Sequence, residues 1–190
     1  MPPRITPLTE PYTPEVARHL AAMMPPGEEP IRLFRTFAKN PPMTAGLRGW
    51  GEYYLSKRLA LSIRDRELVI DRTTARCGCE YEWGVHVARF ADRVGLTDEQ
   101  VRSLTSGSPT DPCWSRHDRV VIEAVDALLA TSSIDDPLWS AVAEQLDEPQ
   151  ILDLCLLTGW YQAISYAANA AGVEREPWAP RFDDVRRTSA

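Results

Sequence analysis

The feature that most constrains this chain is a three-residue turn, Cys77-Gly78-Cys79, set between two stretches of helical pattern. Ser62 is placed to cap the first stretch, which runs through Glu67 to about Arg76. The second runs from Glu80 to Val94, with Gly95 just past its end. A connection this short makes the two helices antiparallel neighbours.

Chemistry is concentrated on one face of the second helix. Each residue advances about 100°, so with Cys79 at zero, Trp83 lies near about 40°, Phe90 near about 20°, His86 near about −20° and Glu82 near about −60°. An ordinary amphipathic helix has no need to place a thiol, a carboxylate and an imidazole on the side that carries two aromatic rings. Glu82 and His86, four apart, can exchange a hydrogen bond. On a solvated surface that pair is worth only a few tenths of a kcal/mol. The flanking rings of Trp83 and Phe90 point instead to partial burial, where such a pair suits general acid/base work near neutral pH. Tyr81, Trp83 and Phe90 are read as packing that can also wall an apolar pocket.

Cys79 begins the second helix, where unpaired N–H groups and the helix dipole favour a thiolate, while nearby Glu82 disfavours one. Its spacing to His86 favours function over a buried structural thiol. Cys77 is a redox partner only through a small, strained Cys-x-Cys ring, and the simpler reading is that it ends the preceding helix. A zinc site from Cys77, Cys79 and His86 lacks a second ligand pair, so no metal or other cofactor is expected.

The run from Arg66-Glu67-Leu68 through Cys79-Glu80-Tyr81-Glu82-Trp83 and His86 to Gly95-Leu96-Thr97 resembles the AhpD-like, carboxymuconolactone decarboxylase superfamily. Leu33 to Pro42 resembles the family's preceding helical segment, and Gly159-Trp160-Tyr161 through Asn169 its closing helix, so the likeness spans roughly residues 30–175. It implies an all-α, AhpD-like bundle of about eight helices around an antiparallel pair, and a homo-oligomer such as a dimer, trimer or hexamer. It also implies that Glu67 faces His86 and relays protons, where the residues alone allow an exposed partner of Arg64 or Arg66. The peroxidase branch carries Glu, then Cys-x-x-Cys, then His. Aligned on His86, its attacking second cysteine falls on Glu82, so the peroxidase mechanism does not carry over intact.

The catalytic candidates are therefore Glu67, Cys79, Glu82 and His86. The favoured function is lyase-type proton transfer on a small organic acid or lactone. The alternatives are a thiol hydroperoxidase centred on Cys79 and a non-catalytic ligand-binding scaffold. A net charge of −6 without a basic patch argues against nucleic acid. No apolar run approaches the roughly 20 residues needed to cross a bilayer, and the N-terminus has no hydrophobic signal region, so a cytoplasmic protein is expected.

Along the chain, residues 1–12 read as a Pro-rich arm, 13–175 as one domain and 176–190 as a tail. Helices are expected from the Thr13 cap to about Met24, at about Ile31–Lys39 and Met43–Leu59, then the central pair. Further helices open at the Thr97 capping box and cover about Ser115–Ala130, Asp136–Leu146 and Pro149–Ala171. The last shows an apolar stripe of Leu152, Cys155, Leu156, Gly159, Ala163, Tyr166 and Ala167, suited to a central or subunit-contact helix. His19 and His117 read as surface residues, Cys113 as incidental.

Overall fold

The computed structural model describes residues 2–186, and within them there are ten α-helices and no strand. They are α1 (Pro14–Met23), α2 (Arg32–Phe37), α3 (Pro41–Tyr54), α4 (Ile63–Arg76), α5 (Glu80–Phe90), α6 (Asp98–Ser106), α7 (Arg116–Thr131), α8 (Asp136–Ala143), α9 (Glu148–Ala171) and α10 (Phe182–Arg186). The all-α expectation holds, and so does its centre. Antiparallel α4 and α5 pack on one another and on α9, while α6 and α7 cover the other sides of α4.

The caps explain most boundaries. The side chains of Thr13, Ser62, Thr97, Ser115, Asp135 and Asp147 each accept a backbone N–H in the first turn of their helix. Differences from expectation have local causes. Helix α3 starts at Pro41, not Met43, because Asn40 caps it and proline is favoured at a first helical position. It stops at Tyr54 rather than Leu59. Helix α5 ends at Phe90 and tightens into a 3-10 turn, Asp92–Val94, before Gly95 turns left-handed at φ 67°.

Both terminal segments belong to the body of the protein. Arg4 and Ile5 donate their backbone N–H groups to the Ala171 carbonyl at 2.8 and 3.0 Å, and Leu8 and Tyr12 pack on Val16, Leu20 and Ala38. The arm thus docks on its own chain. The expected tail contributes buried Glu176 and Ala179 and the additional helix α10, and its residues 187–190 lie outside the described residues. Gly84 permits this docking: a Cβ there would sit 2.7 Å from the Pro180 carbonyl oxygen.

Two clusters share the interior. The larger holds Leu68, Val69, Ile70, Trp83, Val121, Ile122, Leu154 and Leu157, and the smaller holds Ile31, Leu33, Phe37, Cys79, Tyr81, Val85 and Ile164. The apolar stripe expected on α9 faces outward, with Leu152, Leu156 and Tyr166 all exposed, whereas Ile151, Leu154, Leu157, Tyr161 and Ile164 supply the inward face. Apolar residues surround this helix on both sides, so periodicity alone could not choose its core face.

Candidate active site

Helix α4 is the least apolar of the interior helices, yet every residue from Asp65 to Thr74 is buried. Burial of charge requires partners. Arg72 pairs with Asp126 at 2.6 Å and donates to the carbonyls of Ser103, Leu104 and Gly107, closing the C-terminal end of α6. Asp65 contacts His117 Nε2 at 2.8 Å, so His117 is a half-buried partner and not the free surface residue expected.

At the centre of α4, Glu67 bridges two groups. Its Oε1 accepts from Arg66 Nε at 2.6 Å, and its Oε2 lies 2.8 Å from His86 Nδ1 on α5. The guanidinium of Arg66 lies over the Phe90 ring, 5.0 Å from its centroid. With Nδ1–H donated to Glu67, the Nε2 lone pair of His86 accepts the Tyr161 hydroxyl of α9 at 3.0 Å. Glu82 Oε2 is 3.7 Å from the same Nε2. The imidazole is clamped on one nitrogen and presents the other.

It presents that nitrogen to a cavity of about 330 Å³, to which Glu82, His86 and Tyr161 contribute polar groups. The walls include Met24, Leu33, Phe37, Leu47, Trp160 and Ile164. Burial raises the Glu82 carboxyl above the ordinary glutamate value, with His86 opposing. Burial also raises the Tyr161 phenol well above its usual value, reinforced by Glu82 and Glu67, so it serves as a neutral hydroxyl. Such a site can accept a proton at His86 and donate one from Glu82 or Tyr161.

Glu67, Glu82 and His86 thus converge. Cys79 does not line the cavity: it is fully buried, and burial, followed by the Glu82 charge, pushes its thiol up to about 11. The helix-terminus effect expected to favour a thiolate is outweighed by desolvation. Cys77, half-buried, also has its thiol raised by burial, and both cysteines are free. Of the three aromatics expected at the wall, Phe90 lines the cavity. Trp83 instead packs in the larger core against Phe182 at 4.9 Å between ring centroids, and Tyr81 donates its hydroxyl to Glu176 at 2.7 Å. Among the described residues, no group of three or more His, Cys, Asp or Glu side chains is arranged to hold a metal ion.

Three participants were not among the catalytic candidates. Tyr161, read as part of the closing helix, lies 75 residues from His86. Arg66 was expected at most as an exposed partner of Glu67, and the pair is instead buried. Asp71, one turn after Glu67, is 1% exposed, and neither carboxyl oxygen has a hydrogen-bond partner.

The profile of the carboxymuconolactone decarboxylase family matches residues 42–116. Among solved structures, the chain is similar to the debrominase Bmp8, with 14% identity, a TM-score of 0.75 and 95% of each chain covered. A cysteine-to-alanine variant of Bmp8 in complex with 2,3,4-tribromopyrrole matches with 13% identity and a TM-score of 0.77, covering 98% of this chain and 97% of that one. An alkylhydroperoxidase AhpD core protein, described as uncharacterized and peroxidase-related, from Ralstonia eutropha JMP134 matches with 13% identity and a TM-score of 0.78, covering 91% and 93%. No curated protein matches the sequence.

Proposed function

We propose that this chain, whose residues 42–116 match the profile of the carboxymuconolactone decarboxylase family, belongs to the AhpD-like, carboxymuconolactone decarboxylase superfamily and is an acid/base enzyme. His86 and Glu82 move protons on a small organic acid or lactone. The observation that carries this reading is the clamped imidazole: Glu67 holds Nδ1 at 2.8 Å while Nε2 is turned to the cavity. Substrate displaces the Tyr161 hydroxyl and gives its proton to Nε2. Glu67 stabilises the imidazolium that forms, and Arg66 balances the Glu67 charge. Glu82, which burial keeps protonated to higher pH than an ordinary carboxyl, returns a proton at a second atom of the substrate. Cys79 packs behind the site and shapes its polarity.

The thiol-centred alternative is disfavoured because peroxide attack needs a thiolate with access, and Cys79 has neither. We expect peroxide turnover to be weak and dependent on Cys79. The test is a panel of hydroperoxides and small carboxylated lactones assayed with wild type, His86→Ala, Glu82→Gln and Cys79→Ser. His86→Ala and Glu82→Gln are each expected to lose about 10²–10⁴-fold in turnover of a lactone while the fold persists. Turnover by His86→Ala equal to wild type ends the proposal.

We also propose a homo-oligomer, supported by the outward apolar stripe of Leu152, Leu156 and Tyr166 on α9. A solution mass of 21.3 kDa at micromolar concentration rules it out. No described helix is long and apolar enough to cross a membrane. A cytoplasmic location is retained as part of the proposal.

A further inference from the structure

The charges around the cavity are already matched with one another. Two cationic side chains line it, Arg48 and Arg89. Arg48 Nε lies 3.0 Å from Glu52 Oε1, one turn along α3, and Glu52 is itself part of the wall. Arg89 donates to Glu28 Oε2 at 2.8 Å, and its guanidinium lies over the Trp178 ring at 5.0 Å. Each guanidinium therefore has a carboxylate beside it. The remaining carboxyl of the wall is Glu82, 5% exposed and 3.7 Å from His86.

An anionic group entering this space would lose its hydration shell, and the two cations at the wall, Arg48 and Arg89, already have Glu52 and Glu28 beside them in partly exposed pairs. It would also approach Glu82, whose charge it repels whenever that carboxyl is ionised. An uncharged group meets none of these costs. The polar end of the cavity offers the Tyr161 hydroxyl as a donor and His86 Nε2 as an acceptor, which suits one neutral carbonyl, hydroxyl or amide. Phe37, Phe90 and Trp160 supply aromatic faces. The volume, about 330 Å³, lies at the low end for ligand cavities and is adequate for one substituted ring.

We infer that the part of the substrate seated in this cavity is an uncharged ring bearing a single neutral hydrogen-bonding group. This rests on the acid/base reading of the site and narrows its substrate from an organic acid or lactone to the neutral, lactone-like kind.

Benzamide and benzoate have nearly the same shape and differ in charge, so they isolate the question. Isothermal titration calorimetry of the wild-type protein at neutral pH is expected to show benzamide binding at least about tenfold more tightly than benzoate, since only the anion must be desolvated without a free partner. Glu52→Gln releases Arg48 and is expected to raise benzoate affinity while leaving that of benzamide unchanged. Leu47→Trp fills the cavity and is expected to abolish benzamide binding. Benzoate binding as tightly as benzamide, benzamide surviving Leu47→Trp, or no benzamide binding at millimolar concentration would each overturn the inference. These equilibria need no turnover. A protein that prefers benzamide yet keeps lactone turnover after His86→Ala would defeat the acid/base reading alone.

Discussion

Replacing Glu67 with glutamine changes one atom and separates what this residue does for stability from what it does for chemistry. The side chain is fully buried and accepts two hydrogen bonds, 2.6 Å from Arg66 Nε and 2.8 Å from His86 Nδ1. Removing one partner of a buried ion pair costs about 3–5 kcal/mol, because the remaining charge is stranded. Glutamine keeps one carbonyl oxygen, and Arg66, which can only donate, claims it. The retained bond reduces the expected loss to about 2–3 kcal/mol, a sizeable share of the roughly 5–15 kcal/mol of a typical domain. The amide N–H₂ then faces His86 Nδ1 and forces the lone pair onto that nitrogen. Nε2 becomes N–H and can no longer take a proton from substrate, so turnover should fall by about 10²–10⁴-fold. A second substitution distinguishes the two effects. Arg66→Met combined with Glu67→Gln removes the stranded charge and should recover at least about 1 kcal/mol in urea unfolding. Turnover should stay low, because the imidazole still lacks its acceptor. Refutation would come from Glu67→Gln turning over a lactone as fast as wild type, or from the double variant regaining turnover together with stability.

Other outcomes follow from burial. With its thiol pushed up to about 11, Cys79 should resist iodoacetamide in the native protein at neutral pH and react on unfolding, while half-buried Cys77 reacts first. Peptide mapping that finds both labelled at the same rate would show that Cys79 is accessible. Asp71 has its carboxyl raised well above the ordinary value, first by burial and then by the Glu67 charge. The folded state therefore holds this proton where the unfolded state has lost it, and stability falls as pH rises from the ordinary aspartate value through the folded one. Asp71→Asn should flatten that slope and be more stable than wild type above neutrality, and an unchanged slope in denaturation across pH would contradict the assignment. Gly84→Ala places a Cβ 2.7 Å from the Pro180 carbonyl oxygen and 3.2 Å from Ala179 Cβ, and should cost about 1–3 kcal/mol. A melting temperature equal to wild type would mean that the C-terminal segment is not seated there.

Local signals carried much of the architecture. The Cys77-Gly78-Cys79 turn and the caps at Thr13, Ser62 and Thr97 are short-range devices whose physics is complete within a few residues. They were legible, and so was the pairing of α4 with α5. Part of the candidate site was legible for the same reason. The shared face of Glu82 and His86 depends only on helical pitch, and on it their side chains meet at 3.7 Å. What the sequence could not decide were the quantities that depend on surroundings. Trp83 shares a helical face with His86 by rotation, yet it enters the larger core, because α5 is buried on nearly every side from Tyr81 to His86. Cys79 sits at a helix start that favours a thiolate, but the packing above it sets the dielectric and the thiol stays protonated. Tyr161 reaches His86 only because α9 crosses the α4–α5 pair, a contact between residues far apart in sequence. Which face of α9 turns inward, which aromatic becomes a hydrogen-bond donor and which carboxyl keeps its proton are set by neighbours brought together from distant parts of the chain. Burial and electrostatics are properties of that assembly, and helical pitch does not encode them.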